Sequence, residues 1–172
     1  MGDRLPLLTR RLRRALLATA AGSLLCACAR APAPPPTVQR LPAVPVLSLE
    51  HRTESLPALT RGRPALVALW ATWCTSCARE LSELDRLQAR VGESALVVGV
   101  AVGEPYEHVA EYLRTRRLAY AQLVDEEFKL SEALGARRVP AIWVVDRTGT
   151  VRYAGGSLDA RALDALRDAM AE

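Results

Sequence analysis

From about Val46 onward, apolar runs alternate with amphipathic segments. PALVALW (Pro64–Trp70) is a continuous apolar run of strand length, which predicts a buried strand. CARELSELDRLQARV (Cys77–Val91) follows with Leu81, Leu84 and Leu87 at helical spacing. SALVVGVAV (Ser94–Val102) is rich in β-branched residues and predicts a second buried strand. EPYEHVAEYLRTRRL (Glu104–Leu118) reads as a helix with Pro105 in its first turn. AYAQLVD (Ala119–Asp125) is a short third strand, and EEFKLSEALG (Glu126–Gly135) a short helix with Gly135 as its C-cap. PAIWVVD and TVRYAGG are two strands joined by the turn Asp146–Gly149. SLDARALDALRDAMA closes the chain as a helix capped by Ser157 or Asp159. Strands alternating with helices imply parallel pairing, to which the last hairpin adds an antiparallel edge. Val46–Leu59 supplies a further strand or hairpin.

The N-terminal part has a different character. RRLRRALLATAAGSLLCAC joins a basic stretch to an apolar run, Ala15–Ala27, too short for an ordinary transmembrane helix and of the length of a signal peptide. Residues 1–27 are therefore expected to be a signal peptide. LCAC (Leu25–Cys28) resembles a bacterial lipobox, which would make Cys28 the lipidated mature N-terminus. The competing cut, at Ala27-Cys28-Ala29, would release a soluble protein. Residues 28–45 form a proline-rich tether: Ala29–Pro45 alone holds six of the eleven prolines, and such a segment favours extended conformations. Residues 46–172 are the domain.

Composition narrows the function. The net charge of +4 resides in the leader, which carries Arg4, Arg10, Arg11, Arg13 and Arg14 against Asp3 alone; the remainder is balanced. No basic block of the kind that binds nucleic acid is left.

The chemistry concentrates in WATWCTSCARE (Trp70–Glu80). A zinc site needs four ligands as a rule, yet the domain has no second cysteine pair, and His51 and His108 are distant in sequence. A structural disulfide gains most from a large loop, and Cys74 and Cys77 would close a very small one. The redox reading also accounts for the context. A strand ending at Trp70 and a helix starting at the cysteines put Cys74 at a helix N-terminus, where free N–H groups and the dipole favour a thiolate. Cys77, one turn further in, would resolve the mixed disulfide.

ALVALWATWCTSCARE, RRVPAIWVVDRTGTV and the exported N-terminus together resemble the TlpA/ResA-like membrane-tethered thiol-disulfide oxidoreductases, over about Val46 to Glu172. The resemblance implies a thioredoxin-like α/β fold, a central mixed β-sheet flanked by helices. It implies Cys74 as nucleophile, Cys77 as resolving cysteine and a redox-active Cys74–Cys77 disulfide. Pro140 matches a cis-proline packed against that disulfide, and Val139 would offer its backbone to a substrate strand. Glu80 matches an acidic residue that handles a proton as Cys77 reacts. Trp73 is expected to shield the disulfide edge and Trp70 to belong to the core. Neither metal nor cofactor is implied. The chain departs from the family at Ser76, where proline is common, and at Ser82, where a kink proline is expected. Thioredoxin itself has a buried aspartate where this chain has Ala68, which makes Glu80 the better proton carrier.

The expected partners are exported proteins with cysteine pairs, such as apocytochrome c or proteins with metal-site cysteines. The expected electron donor is a membrane thiol transporter, and the location is the periplasmic face of a bacterial membrane. Oxidation of substrate thiols would use the same residues. A metal-delivery protein of copper-site assembly tends to have more widely spaced cysteines and a downstream histidine, and no histidine follows His108. A thiol peroxidase would show a threonine-cysteine pattern on a helix, which this chain lacks.

Overall fold

The structure is a computed structural model that describes residues 39–172. The leader, Cys28 and the first part of the proline-rich segment lie outside the described residues. In chain order the elements are β1 (Val46–Ser48), β2 (Thr53–Glu54), α1 (Leu56–Thr60), β3 (Ala65–Trp70) and α2 (Thr75–Val91). Then come β4 (Leu96–Val102), α3 (Tyr106–Arg114), β5 (Ala121–Asp125), α4 (Lys129–Ala133), β6 (Ala141–Val145), β7 (Val151–Gly155) and α5 (Ala160–Ala171). The seven strands form one mixed sheet in the order β2-β1-β5-β4-β3-β6-β7. The β3–β4 and β4–β5 pairs are parallel; every other pair is antiparallel. This is the thioredoxin-like α/β fold.

Strand β3 lies inside the sheet between β4 and β6, and all six of its residues are buried, because helices cover both faces of the sheet. Leu66, Ala68 and Trp70 face one core with Leu81, Leu84 and Leu87 of α2, while Ala65, Val67 and Leu69 face a second core with Leu130 and Leu134. The period-2 alternation of the strand thus sends its side chains into two cores. Trp70 is a core residue, its Nε1–H donating to Gln122 Oε1 at 3.2 Å.

Three elements differ from the sequence expectation. Helix α3 stops at Arg114 rather than Leu118. Arg116 turns back there: its guanidinium lies 3.7 Å from the Tyr112 ring centroid and donates to the Tyr112 carbonyl, satisfying a carbonyl left free at the helix end. Helix α4 starts at Lys129 rather than Glu126. The Asp125 carboxylate, at the end of β5, accepts the amides of Leu130 and Ser131 at 3.0 and 2.8 Å. It caps α4 from outside, so Glu126–Phe128 form a turn, with Phe128 at φ +59°. The third difference lies ahead of β1. Val151 N–H donates to the Gln39 carbonyl, Leu41 N–H to the Gly149 carbonyl, and Leu41 is buried. The end of the segment read as a spacer therefore docks beside β7.

Other local readings are matched in detail. The 146–149 turn is organised by the Asp146 carboxylate, which accepts from Thr148 N, Thr150 N, the Thr148 hydroxyl and Arg152 Nε. Of the two candidate caps for α5, Asp159 is the one that accepts from Ala162 N, at 2.9 Å.

Candidate active site

The carboxyl end of β3 runs into Ala71–Cys74 and then α2. Cys74 is the N-cap of α2, in an extended conformation. Its Sγ accepts the Cys77 amide at 3.2 Å, and the Ser76 hydroxyl lies 3.4 Å from the same sulfur. Cys74 and Cys77 form a disulfide, with Cα atoms 5.2 Å apart. Cys74 is 7% exposed and Cys77 1%, so Cys74 is the more accessible of the two. Amide and hydroxyl donors at a helix N-terminus lower the energy of a thiolate at Cys74 once the disulfide is reduced.

The Val139–Pro140 peptide bond is cis. Val139, Trp73 and Arg79 line an open hollow together with Cys74, Thr75 and Ser76, which brings Val139 to the cysteine loop. Trp73 is 69% exposed and forms one wall of that hollow, next to Cys74.

Glu80 is on the buried face of α2, one turn beyond Cys77. Its Oε1 accepts the Leu158 amide at 2.5 Å, which ties α2 to the segment before α5. Burial, reinforced by the nearby Glu83 charge, pushes its carboxyl above the ordinary value of 4.5, against the Leu158 hydrogen bond and Arg79. Its charge also contributes to raising two tyrosine hydroxyls, Tyr120 and Tyr153, whose shifts are dominated by burial. Ala68 is buried in the same core as the cysteines, so β3 supplies no acid from that position.

Sequence reasoning missed a second acid. Glu104, two residues after β4, is buried. One of its oxygens accepts the Thr72 amide at 2.7 Å and the other the Thr72 hydroxyl. His108 Nε2 lies 3.4 Å from that hydroxyl, so a histidine distant in sequence stands near the cysteine loop in space. The available signal was positional: loops at the carboxyl ends of parallel strands are where α/β sheets build sites. Glu104 anchors the loop two residues before Cys74. Glu104→Ala leaves the Thr72 donors unpaired and is expected to lower unfolding free energy by about 2 kcal/mol, measurable by urea denaturation.

Residues 37–154 match the AhpC/TSA family model. The chain belongs to the AhpC/TSA family. No curated protein matches it. Solved structures share its fold. A putative thiol:disulfide interchange protein DsbE from Chlorobium tepidum superposes with TM-score 0.68 at 17% identity, covering 77% of this chain and 94% of its own. A secreted Mycobacterium tuberculosis disulfide oxidoreductase homologous to E. coli DsbE gives 0.61 at 19%, covering 75% and 95%. The exposed lipoprotein thioredoxin Etrx1 of Streptococcus pneumoniae gives 0.64 at 20%, covering 73% and 98%.

Proposed function

We propose that this AhpC/TSA-family protein is an exported, membrane-tethered thiol-disulfide oxidoreductase that reduces disulfides in other exported proteins. The observation that carries this reading is the placement of Cys74 as the N-cap of α2, bonded to Cys77, in one open hollow with the half-buried Val139 of the cis Val139–Pro140 bond. In the reduced protein the Cys74 thiolate attacks a substrate disulfide. One substrate sulfur leaves and takes up a proton, and a mixed disulfide remains. Cys77 then loses its proton and attacks Cys74 Sγ, which releases the second substrate sulfur as a thiol. Two electrons and two protons have passed to the substrate, and the Cys74–Cys77 disulfide awaits a thiol reductant at the membrane. Val139 offers main-chain hydrogen bonds to the substrate strand, and the Pro140 ring and Trp73 border it. Glu80 holds the proton as Cys77 reacts. The substrates are cysteine pairs of the kind found in apocytochrome c or metal sites.

The reading is tested by turnover of a disulfide-bonded protein substrate with dithiothreitol as terminal donor. Catalysis above the dithiothreitol background is expected; a rate equal to that background contradicts the reading.

The tether rests on Leu25–Cys28 and the prolines after it; among the described residues no helix is long and apolar enough to cross a membrane. Intact-mass measurement of the mature protein is expected to show a lipid on Cys28. A mature chain starting at Arg30 without lipid contradicts it.

A further inference from the structure

Trp73 and Phe128 are the two large apolar side chains exposed among the described residues, at 69% and 48%. They come from loops 55 positions apart, yet both line one hollow of about 220 Å³ together with Leu69, Val102 and Val139. Phe128 is the chain's single phenylalanine, and its place is built into the backbone. It stands at φ +59°, and Gly103, at φ +69°, leaves room for its ring: a Cβ at Gly103 would fall 1.9 Å from Phe128 Cζ. Solvent exposure of such a residue at a strained conformation needs a reason. The hollow shares Trp73 and Val139 with the open space over the disulfide, so a chain crossing Cys74 reaches both.

The rim of this surface has one sign of charge. Arg137 and Arg138 line the apolar hollow, and Arg79 lines the space over Cys74. All three are exposed. None forms an ion pair or side-chain hydrogen bond among the described residues. The acids next to Phe128 are not among the residues lining the hollow: Glu126 accepts the Tyr106 amide and Glu127 pairs with Lys129. Residues 28–172 have balanced charge, so this local excess is a property of the site.

Resting on the oxidoreductase reading above, we infer that the hollow is a specificity subsite for a polypeptide with a bulky apolar side chain beside its reactive cysteine and carboxylates flanking that pair. The apolar side chain enters between Trp73, Phe128 and Val139. The carboxylates meet Arg79, Arg137 and Arg138, where complementary charge acts on association rate and partner choice. Since successive side chains of an extended strand alternate in direction, one apolar residue near the cysteine suffices to reach the hollow.

The test uses the full, reduced chain and four disulfide-bonded peptides that pair Phe or Ser beside the cysteine with flanking Glu or Lys. The neutral small disulfide 2-hydroxyethyl disulfide sets the reference rate. Relative to that reference, the Phe/Glu peptide is expected to react about tenfold faster than the Ser/Lys peptide, with the acidic preference shrinking as salt rises. The double variant Arg137→Gln, Arg138→Gln is expected to erase the preference for Glu over Lys and keep that for Phe over Ser. Phe128→Ser is expected to do the reverse. Equal relative rates for all four peptides, or a preference that survives its own variant, overturns the subsite. Failure to react with any disulfide, including 2-hydroxyethyl disulfide, overturns the oxidoreductase reading itself.

Discussion

The Cys77→Ala variant is expected to accumulate mixed disulfides with its substrates, and Cys74→Ala almost none. The asymmetry follows from placement on one helix end. Cys74 caps α2, receives the Cys77 amide at 3.2 Å and has the Ser76 hydroxyl 3.4 Å away; all of these favour its thiolate. Cys77 is inside the first turn and 1% exposed, so its sulfur reaches Cys74 Sγ more easily than a bulky external disulfide. Cys74→Ala is therefore expected to lower turnover by about 10³-fold or more, as loss of a nucleophile does. Cys77→Ala stops turnover after the first chemical step. Non-reducing gels of trapped complexes and steady-state rates measure the two effects. Equal trapping by both variants would reject the assignment.

Glu80 carries the second large effect. It is neither a solvated surface residue nor free: it is buried, and its carboxylate accepts the Leu158 amide. Glu80→Gln removes a negative charge one helical turn from Cys77, so the thiol pKa values are expected to fall. One unit would correspond to about 1.4 kcal/mol. Removal of the local base is expected to slow resolution by Cys77 by about 10²-fold. Thiolate absorbance against pH and single-turnover rates test both, and unchanged titrations and rates would return the proton route to water. Stability gives an independent readout. The folded-state pKa of Glu80 is raised, mainly by burial, so the folded chain binds that proton more tightly than the unfolded chain. Its contribution to stability is complete below the ordinary value of 4.5 and is lost as pH rises through the raised folded value. Denaturant melts across that window are expected to show wild type losing stability relative to Glu80→Gln; parallel pH profiles would contradict the shift.

The order of strands and helices was legible in the sequence because each element buries a recognisable pattern. PALVALW has no polar position, as a strand covered on both faces requires, and Leu81, Leu84 and Leu87 fall on one face of α2. Boundaries were less legible where a side chain from another segment sets them. Arg116 folding back on Tyr112 shortens α3, and Asp125 capping from β5 shifts the start of α4. The same holds at the site. The cysteines and Val139–Pro140 carry a motif. The grip of Glu104 on Thr72, the bond from the Leu158 amide to Glu80 and the hollow shared by Trp73 and Phe128 join segments far apart in the chain, and no local pattern encodes them.

Cys74 and Cys77 are expected to cycle between dithiol and disulfide rather than staple the fold. The decisive measurement is equilibration of the full chain against dithiothreitol redox buffers, with the thiol state read by alkylation and mass. One reversible two-electron transition is expected at a potential above about −300 mV, the range of catalytic pairs, with the reduced protein still folded. A pair that stays oxidised well below about −300 mV, as structural disulfides do, or whose reduction unfolds the chain, would contradict it.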